Sequence, residues 1–389
     1  MRKGISRERT IALFIGSLET GGAEKQLSEL LRYIDRSRYK TLLILLRSNS
    51  SPVSSNLADK TIAILPPKAS DPTNGENTIT KYLTVVWRLS KILRANKPAI
   101  FHSFLGDRGL LIGVPAARLA RVPKLIVGRR GSAKVLRSTF LHAVAERIAM
   151  RFTDLMVANC NMLASELATL DRYPRTRIRV IHNGVDSKRF HPGRCRELRT
   201  TFGFSDENIV IGMVANFHVY KRHIDFVNAA RKIADNAPKA RFLLAGEERG
   251  TLVNTRKQIE ELGLTPLFHI TSSTCPETSI YPALDICVST SGTEGLSNVL
   301  LEASACGLPI VATDVGGNSE CVTDEVSGFM VKAFSPEEVA ERVIRLVKDE
   351  DLRSRLGIAG RKRVLADFSL EKFVSQYEAT YDDLIGNAV

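Results

Sequence analysis

Residues 284–320 restrict the fold more than any other stretch of the chain. Leu284 to Val288 is an apolar run of strand length, followed by small and polar residues up to Glu294-Gly295. The pattern turns helical from Leu296 to Cys306, where Gly307 and Pro309 end the helix in the usual order. A second apolar strand, Ile310 to Ala312, follows and leads to Gly316-Gly317. Strand, small-residue loop, helix and strand make one βαβ unit. The N–H groups at such a helix start, around Leu296 to Val299, form an anion site suited to phosphate. Glu294 precedes the helix and Glu302 follows eight residues on. That is about two turns and places them roughly 80° apart around the axis, so both can border one crevice. The plainer alternative is a solvated pair of carboxylates beside an ordinary βα turn.

Similar alternation runs through the rest of the chain. Strands are expected at Ile11–Gly16, Leu42–Leu46, Ile62–Leu65, Ala99–Phe101, Lys124–Val127, Leu155–Ala158 and Arg179–Ile181 in the first half. In the second half they are expected at Ile209–Ala215, Arg241–Ala245 and Leu267–Ile270. Between them lie helical patterns, among them Glu24–Ile34, Tyr82–Ala95 with Trp87 expected against the sheet, and Thr139–Phe152. Such alternation predicts parallel-sheet α/β architecture, and 389 residues are enough for two domains. No apolar run reaches the length of a membrane span. The six cysteines show no paired metal spacing and read as reduced thiols of a cytoplasmic protein.

Glu294, seven residues, Glu302, with Gly295 and Asn298 after the first Glu, resembles the signature of retaining glycosyltransferases of family 4. The resemblance implies the GT-B fold, two Rossmann-like parallel-sheet domains facing across a cleft. Here they would be residues 1–189 and 190–368, with a helix in 369–389 crossing back to the first. It also implies transfer of a sugar from a UDP- or GDP-linked donor to an acceptor hydroxyl, with retention and with neither cofactor nor metal. On that resemblance Glu294 and Lys221 are catalytic. Glu294 and the backbone of Gly295, Leu296, Ser297, Asn298 and Val299 hold the sugar and diphosphate, and Glu302 holds the ribose. Gly21 and Gly22, in Gly21-Gly22-Ala23-Glu24 at the first βα loop, face the donor diphosphate. Lys221 matches a lysine that holds the leaving diphosphate. Asn216 stands where an arginine is common, so one charge is missing or comes from Arg222 or Arg130. Thr271-Ser272-Ser273 falls where relatives contact the nucleobase. Many members carry a sugar-contacting histidine where this chain has Gly128-Arg129-Arg130-Gly131. Arg129 and Arg130 could bind diphosphate or an acidic acceptor, or be a solvated basic loop. His102, at a strand end, could face substrate or be a half-buried histidine bonded to backbone.

Net charge is +13, and it is concentrated. Arg118, Arg121, Lys124, Arg129, Arg130, Lys134, Arg137, Arg147 and Arg151 face one acid, Glu146, within 35 residues. Such a patch wants a polyanion. The helix running through it carries Phe140, Val144, Ile148 and Phe152 on one stripe, which is either core-facing or the apolar side of a membrane-lying helix. With the resemblance, the patch points to a lipid-linked or oligosaccharide acceptor at an anionic membrane surface. The expected setting is the inner face of a bacterial plasma membrane, in polysaccharide or lipopolysaccharide assembly. Two other classes remain: a GT-B sugar-nucleotide epimerase, and a non-catalytic polyanion-binding protein. For the latter no nucleic-acid recognition motif accompanies the charge.

Overall fold

The computed structural model describes residues 9–18, 21–48, 57–66, 78–132, 140–271 and 280–386. Lys134, Arg137, Ser272, Ser273 and Cys275 lie outside them. The chain divides into two compact units, one of residues through Asn183 together with those from Glu371, the other Gly184–Leu370. That junction is six residues earlier than the expected 189/190. Val185 N–H donates to the Phe368 carbonyl at 2.9 Å, and the Phe190 ring packs edge-on against Tyr281. Residues 184–190 therefore belong to the second unit.

The first unit is built on seven parallel strands: β1 (Arg9–Ile15), β2 (Tyr39–Arg47), β3 (Lys60–Leu65), β4 (Ile100–Ser103), β5 (Lys124–Arg129), β6 (Leu155–Ala158) and β7 (Ile178–Val180). Their order is β3-β2-β1-β4-β5-β6-β7. Consecutive residues of β1, β2 and β5 are buried, so both faces of the sheet are covered. Helix α1 (Gly22–Tyr33) buries Leu27, Leu30 and Leu31, as its periodicity predicts. The terminal helix, Leu370–Gly386, inserts Tyr377 and Tyr381 without exposed surface. Tyr381 packs edge-on against Tyr39 of β2.

One helix turns the other way from expectation, and a second, for which two orientations were open, turns its apolar row outward. In α2 (Thr78–Asn96) the inward row is Val85, Val86, Leu89 and Leu93. Trp87 stands half exposed, with the Lys91 ammonium 3.6 Å from its ring centroid. In α3 (Phe140–Met150) the inward residues are Glu146, Ala149 and Met150, while Phe140, Ile148 and the following Phe152 face solvent. The cause is Arg129, buried at the end of β5. Its guanidinium lies 3.7 Å from Glu146 and 3.3 Å from Asp171. A buried guanidinium left without carboxylates costs several kcal/mol, so Glu146 is drawn inward beside it.

In the second unit the strands are β8 (Ile209–Val214), β9 (Ala240–Ala245), β10 (Phe268–Thr271), β11 (Ile286–Ser289), β12 (Ile310–Thr313) and β13 (Phe329–Val331). Their order is β10-β9-β8-β11-β12-β13. Phe226, Phe242, Ile211, Val288 and Val311 are among the core residues. Both sheets have the doubly wound order, in which the chain reverses direction across the sheet between the first and fourth strands. Ligands of such sheets bind beyond the strand C-termini at that switch point. Here it lies between β1 and β4, and between β8 and β11. Among the described residues no helix is long and apolar enough to cross a membrane.

Candidate active site

The loops leaving β8 and β11 meet at the second switch point. After β8 the chain makes a tight turn at Val219–Lys221. Arg222 takes a left-handed backbone, φ 58°, and its guanidinium grips the Asp225 carboxylate in a two-point pair at 2.9 and 2.8 Å. This opens helix α4 (His223–Asn236). After β11, Gly292 N–H donates to the Tyr220 carbonyl at 2.8 Å, and the Thr290 hydroxyl to the Arg222 carbonyl at 3.0 Å. These bonds sew the two loops together and bring Lys221 onto Glu294. The ammonium donates to Glu294 Oε1, and the Ser291 hydroxyl donates to the same oxygen at 2.8 Å. Both charged side chains are largely withdrawn from water, at 18% and 12% exposure. Burial pulls the Lys221 pKa down, but the Glu294 carboxylate outweighs it and raises the value. Lys221 is therefore a cation at neutral pH.

The backbone beneath Glu294 is tightly held. Gly317 N–H donates to the Gly295 carbonyl at 2.6 Å, and Gly316, at φ +61°, lies directly against the Glu294 carbonyl. Helix α5 (Asn298–Ala305) starts two residues later than the sequence suggests, because Ser297 keeps an extended backbone as its N-cap. Leu296 and Ser297 are both buried. The first-turn amides are thus those of Asn298, Val299 and Leu300, and no side chain of Ser297 caps them. Glu302, on the same helix, is 4% exposed and accepts a 2.8 Å bond from the Tyr281 hydroxyl. Burial, with Glu302 nearby, pushes the Cys287 and Cys306 thiols up to about 12. Neither is a nucleophile at neutral pH.

Other residues have different duties. Asn216 turns its side-chain oxygen to the Glu247 N–H at 3.1 Å, bracing the loop. His223 is buried, stacks on Phe217 at 4.3 Å, and burial lowers its pKa to about 4. Its Nε2 lies 3.2 Å from the Ala215 carbonyl and, in the neutral ring, donates to it. Ser291, Thr290 and Tyr281 were not foreseen from the sequence. Ser291 sits three residues before Glu294 in a small-residue loop, which is a faint signal; Tyr281, 21 residues from its partner, leaves none.

In the first unit Gly21 is the extended N-cap of α1 and Gly22 its first residue, both exposed. The three basic candidates there part company. His102 has no exposed surface, its Nδ1 lies 2.8 Å from the Tyr381 hydroxyl, and burial, reinforced by Arg130, lowers its pKa to about 3. It is a neutral ring packed with Phe104 and Tyr377, not a group facing substrate. Arg129 is 2% exposed and committed to Glu146 and Asp171, so it holds the fold together and is not an open phosphate ligand. Arg130 is partly exposed, bonded to Asn183 at 2.9 Å and to the Tyr377 hydroxyl at 3.0 Å, with its guanidinium over Phe104. The basic patch is also less stark than the sequence suggests. Arg118 pairs with Asp154 and Arg147 with Asp171, both acids beyond the patch itself.

Comparison with known proteins bears on the family and the fold. The model described as Glycosyltransferase Family 4 matches residues 20–189, and that described as Glycosyl transferases group 1 matches residues 196–363. Among curated relatives, N-acetyl-alpha-D-glucosaminyl L-malate synthase of Bacillus anthracis is 30% identical over 61% of this chain. The match spans 62% of that protein, less than two thirds of its length. The capsular polysaccharide biosynthesis glycosyltransferase CapM of Staphylococcus aureus is 25% identical over 76% of this chain and 79% of its own. Among solved structures, Anabaena Alr3699/HepE in complex with UDP and glucose superposes with a TM-score of 0.83 at 20% identity, covering 97% of this chain and all of that one. Matched in both halves by these models, the chain belongs to the family 4 glycosyltransferases of GT-B fold.

Proposed function

We propose that the chain moves a sugar from a nucleotide-linked donor to an acceptor hydroxyl, with retention of anomeric configuration. The chemistry must stabilise a departing diphosphate and an oxocarbenium-like sugar. The Lys221 ammonium and the first-turn amides of α5 serve the diphosphate as fixed positive charge. Glu294, steadied by Ser291, positions the sugar hydroxyls, and Glu302, steadied by Tyr281, takes the ribose. With Lys221 and the helix amides in place, no divalent metal is required to neutralise the leaving group. Gly21 and Gly22, without side chains, leave the backbone of the first βα loop open to a ligand. A uridine or guanosine donor is proposed, uridine being supported by the solved relative that holds UDP. The acceptor is proposed to be lipid-linked or an oligosaccharide, at the inner face of the plasma membrane, in assembly of a cell-surface polysaccharide such as lipopolysaccharide. The CapM relative supports the polysaccharide setting.

The observation that carries this reading is the Lys221–Glu294 pair at the β8/β11 switch point. It is tested by screening UDP- and GDP-sugars for thermal stabilisation of the pure protein, followed by product analysis with and without oligosaccharide acceptors. A donor that stabilises the protein and yields an acceptor-dependent product of unchanged anomeric configuration is expected. Conversion of the donor sugar without any acceptor would make the chain an epimerase and overturn the proposal.

A further inference from the structure

Among the described residues helix α3 presents an unpartnered apolar face beside a pocket of arginines. Its rotation is set by the fully buried Glu146, whose carboxylate lies near Arg129 and, at 3.6 Å, His142. At about 100° per residue, Val144 and Ile148 fall roughly 200° from Glu146, on the opposite side. Phe140 is 76% exposed, Leu141 77%, Ile148 52% and Phe152 54%. Next to the C-terminal end of this row is a cavity of about 680 Å³, lined among others by Arg147, Arg151, Arg172, Arg177, Asp171 and Tyr173. Among the described residues its one carboxylate, Asp171, is already engaged by Arg129 and Arg147. Among the described residues Arg151 and Arg172 have no carboxylate partner, and Arg172 is held at φ +53°.

We propose that this surface docks the first unit on an anionic phospholipid bilayer, with the apolar row in the acyl boundary and a lipid phosphate in the arginine pocket. The inference deepens, and rests on, the reading of a membrane-bound acceptor. Charge and shape decide the occupant. An exposed apolar row flanked by arginines suits a helix lying in the plane of a membrane interface. Guanidinium groups with no acid to satisfy them make paired hydrogen bonds to phosphate oxygens. The arrangement places cations at headgroup depth beside apolar side chains at acyl depth.

The full-length protein is sedimented with vesicles of phosphatidylcholine alone and of phosphatidylcholine mixed with phosphatidylglycerol. Binding to the mixed vesicles only, weakening as salt rises, is expected. Arg151→Gln with Arg172→Gln should lower that binding about 30-fold, and Phe140→Ser with Ile148→Ser about tenfold or more at every salt concentration. Arg151, Arg172, Phe140 and Ile148 all stand exposed, and stabilisation by nucleotide sugar should stay at the parent level in both variants. That readout separates the two claims: parent protein that binds vesicles but no nucleotide sugar sinks the functional proposal alone. Vesicle binding unchanged in both double variants overturns the docking surface. So does a parent that ignores vesicles and instead forms a dimer that Phe140→Ser dissociates, since the apolar row would then be a contact between copies.

Discussion

Replacing Gly316 by Ala tests whether the backbone under Glu294 sets the geometry of the site. Gly316 sits at φ +61°, and an added Cβ would stand 2.2 Å from the Glu294 carbonyl oxygen and 2.7 Å from its carbon. Both are backbone atoms, so no rotamer change relieves the contact. The Gly317 to Gly295 hydrogen bond clamps the same segment from the other side. Clearing the overlap requires moving the Glu294 backbone by about 1 Å, and a misplacement of that size costs on the order of 100-fold in turnover. The left-handed backbone and the overpacking together cost about 2–4 kcal/mol of stability. Gly263→Ala is the control, because Gly263 has a similar φ, +66°, with nothing within 4 Å of its Cβ position. It should lose only ~1 kcal/mol, from the backbone alone, and keep the parent's turnover. Thermal melts and steady-state transfer assays on both variants settle the matter. If Gly316→Ala turns over like Gly263→Ala, the placement of Glu294 does not govern catalysis and the reasoning fails.

Tyr281→Phe removes the hydroxyl that steadies Glu302, and should raise the donor KM about tenfold while leaving kcat nearly unchanged, the pattern of lost uniform binding; a fall in kcat at unchanged KM would assign Glu302 a different role. Excess EDTA should leave transfer unchanged, because Lys221 and the α5 amides supply the positive charge; loss of activity restored by Mg²⁺ or Mn²⁺ would show that they do not. Acid should destabilise the protein through its two most buried histidines. His102 and His223 have folded pKa values of about 3 and about 4, below the ordinary 6.5. Below pH 6.5 the unfolded chain therefore binds protons that the folded chain refuses, and stability falls as pH drops toward 4, by about 1.4 kcal/mol per pH unit for each ring. Melting temperatures between pH 7.5 and 4.5 should show this, with a shallower slope in His223→Gln; an unchanged slope would exclude the histidine.

The parts of the chain that were legible in sequence are those whose signal is local. The run from β11 through α5 to β12 announces itself by period, by Gly307 and Pro309, and by the Glu294/Glu302 spacing. Most strands of both sheets are recognisable because parallel strands covered on both faces are continuous apolar runs, but the three-residue β13 is absent from the expected strands. Partners far apart in sequence were not legible. Nothing near α3 says that Glu146 must turn inward, because the demand comes from Arg129 and from Asp171, 42 residues beyond it. The same holds for His102, whose fate is decided by Tyr381 from the terminal helix. Trp87 looked like a core residue by type, yet Leu89 and Leu93 take that side of α2. Lys221 was found by position, but its clasp with Glu294 required the two bonds from Thr290 and Gly292 that only the folded loops reveal.

The central claim is that Glu294 acts on the sugar while Lys221 holds the diphosphate, and turnover of Glu294→Gln at saturating donor tests it most directly. The amide keeps the shape of the carboxylate and removes its charge, so donor still binds and the effect falls on the transition state. A decrease in kcat of about 100-fold or more, with the circular dichroism spectrum unchanged, is the predicted result. A kcat near that of the parent, at saturating donor and with intact fold, would contradict the account.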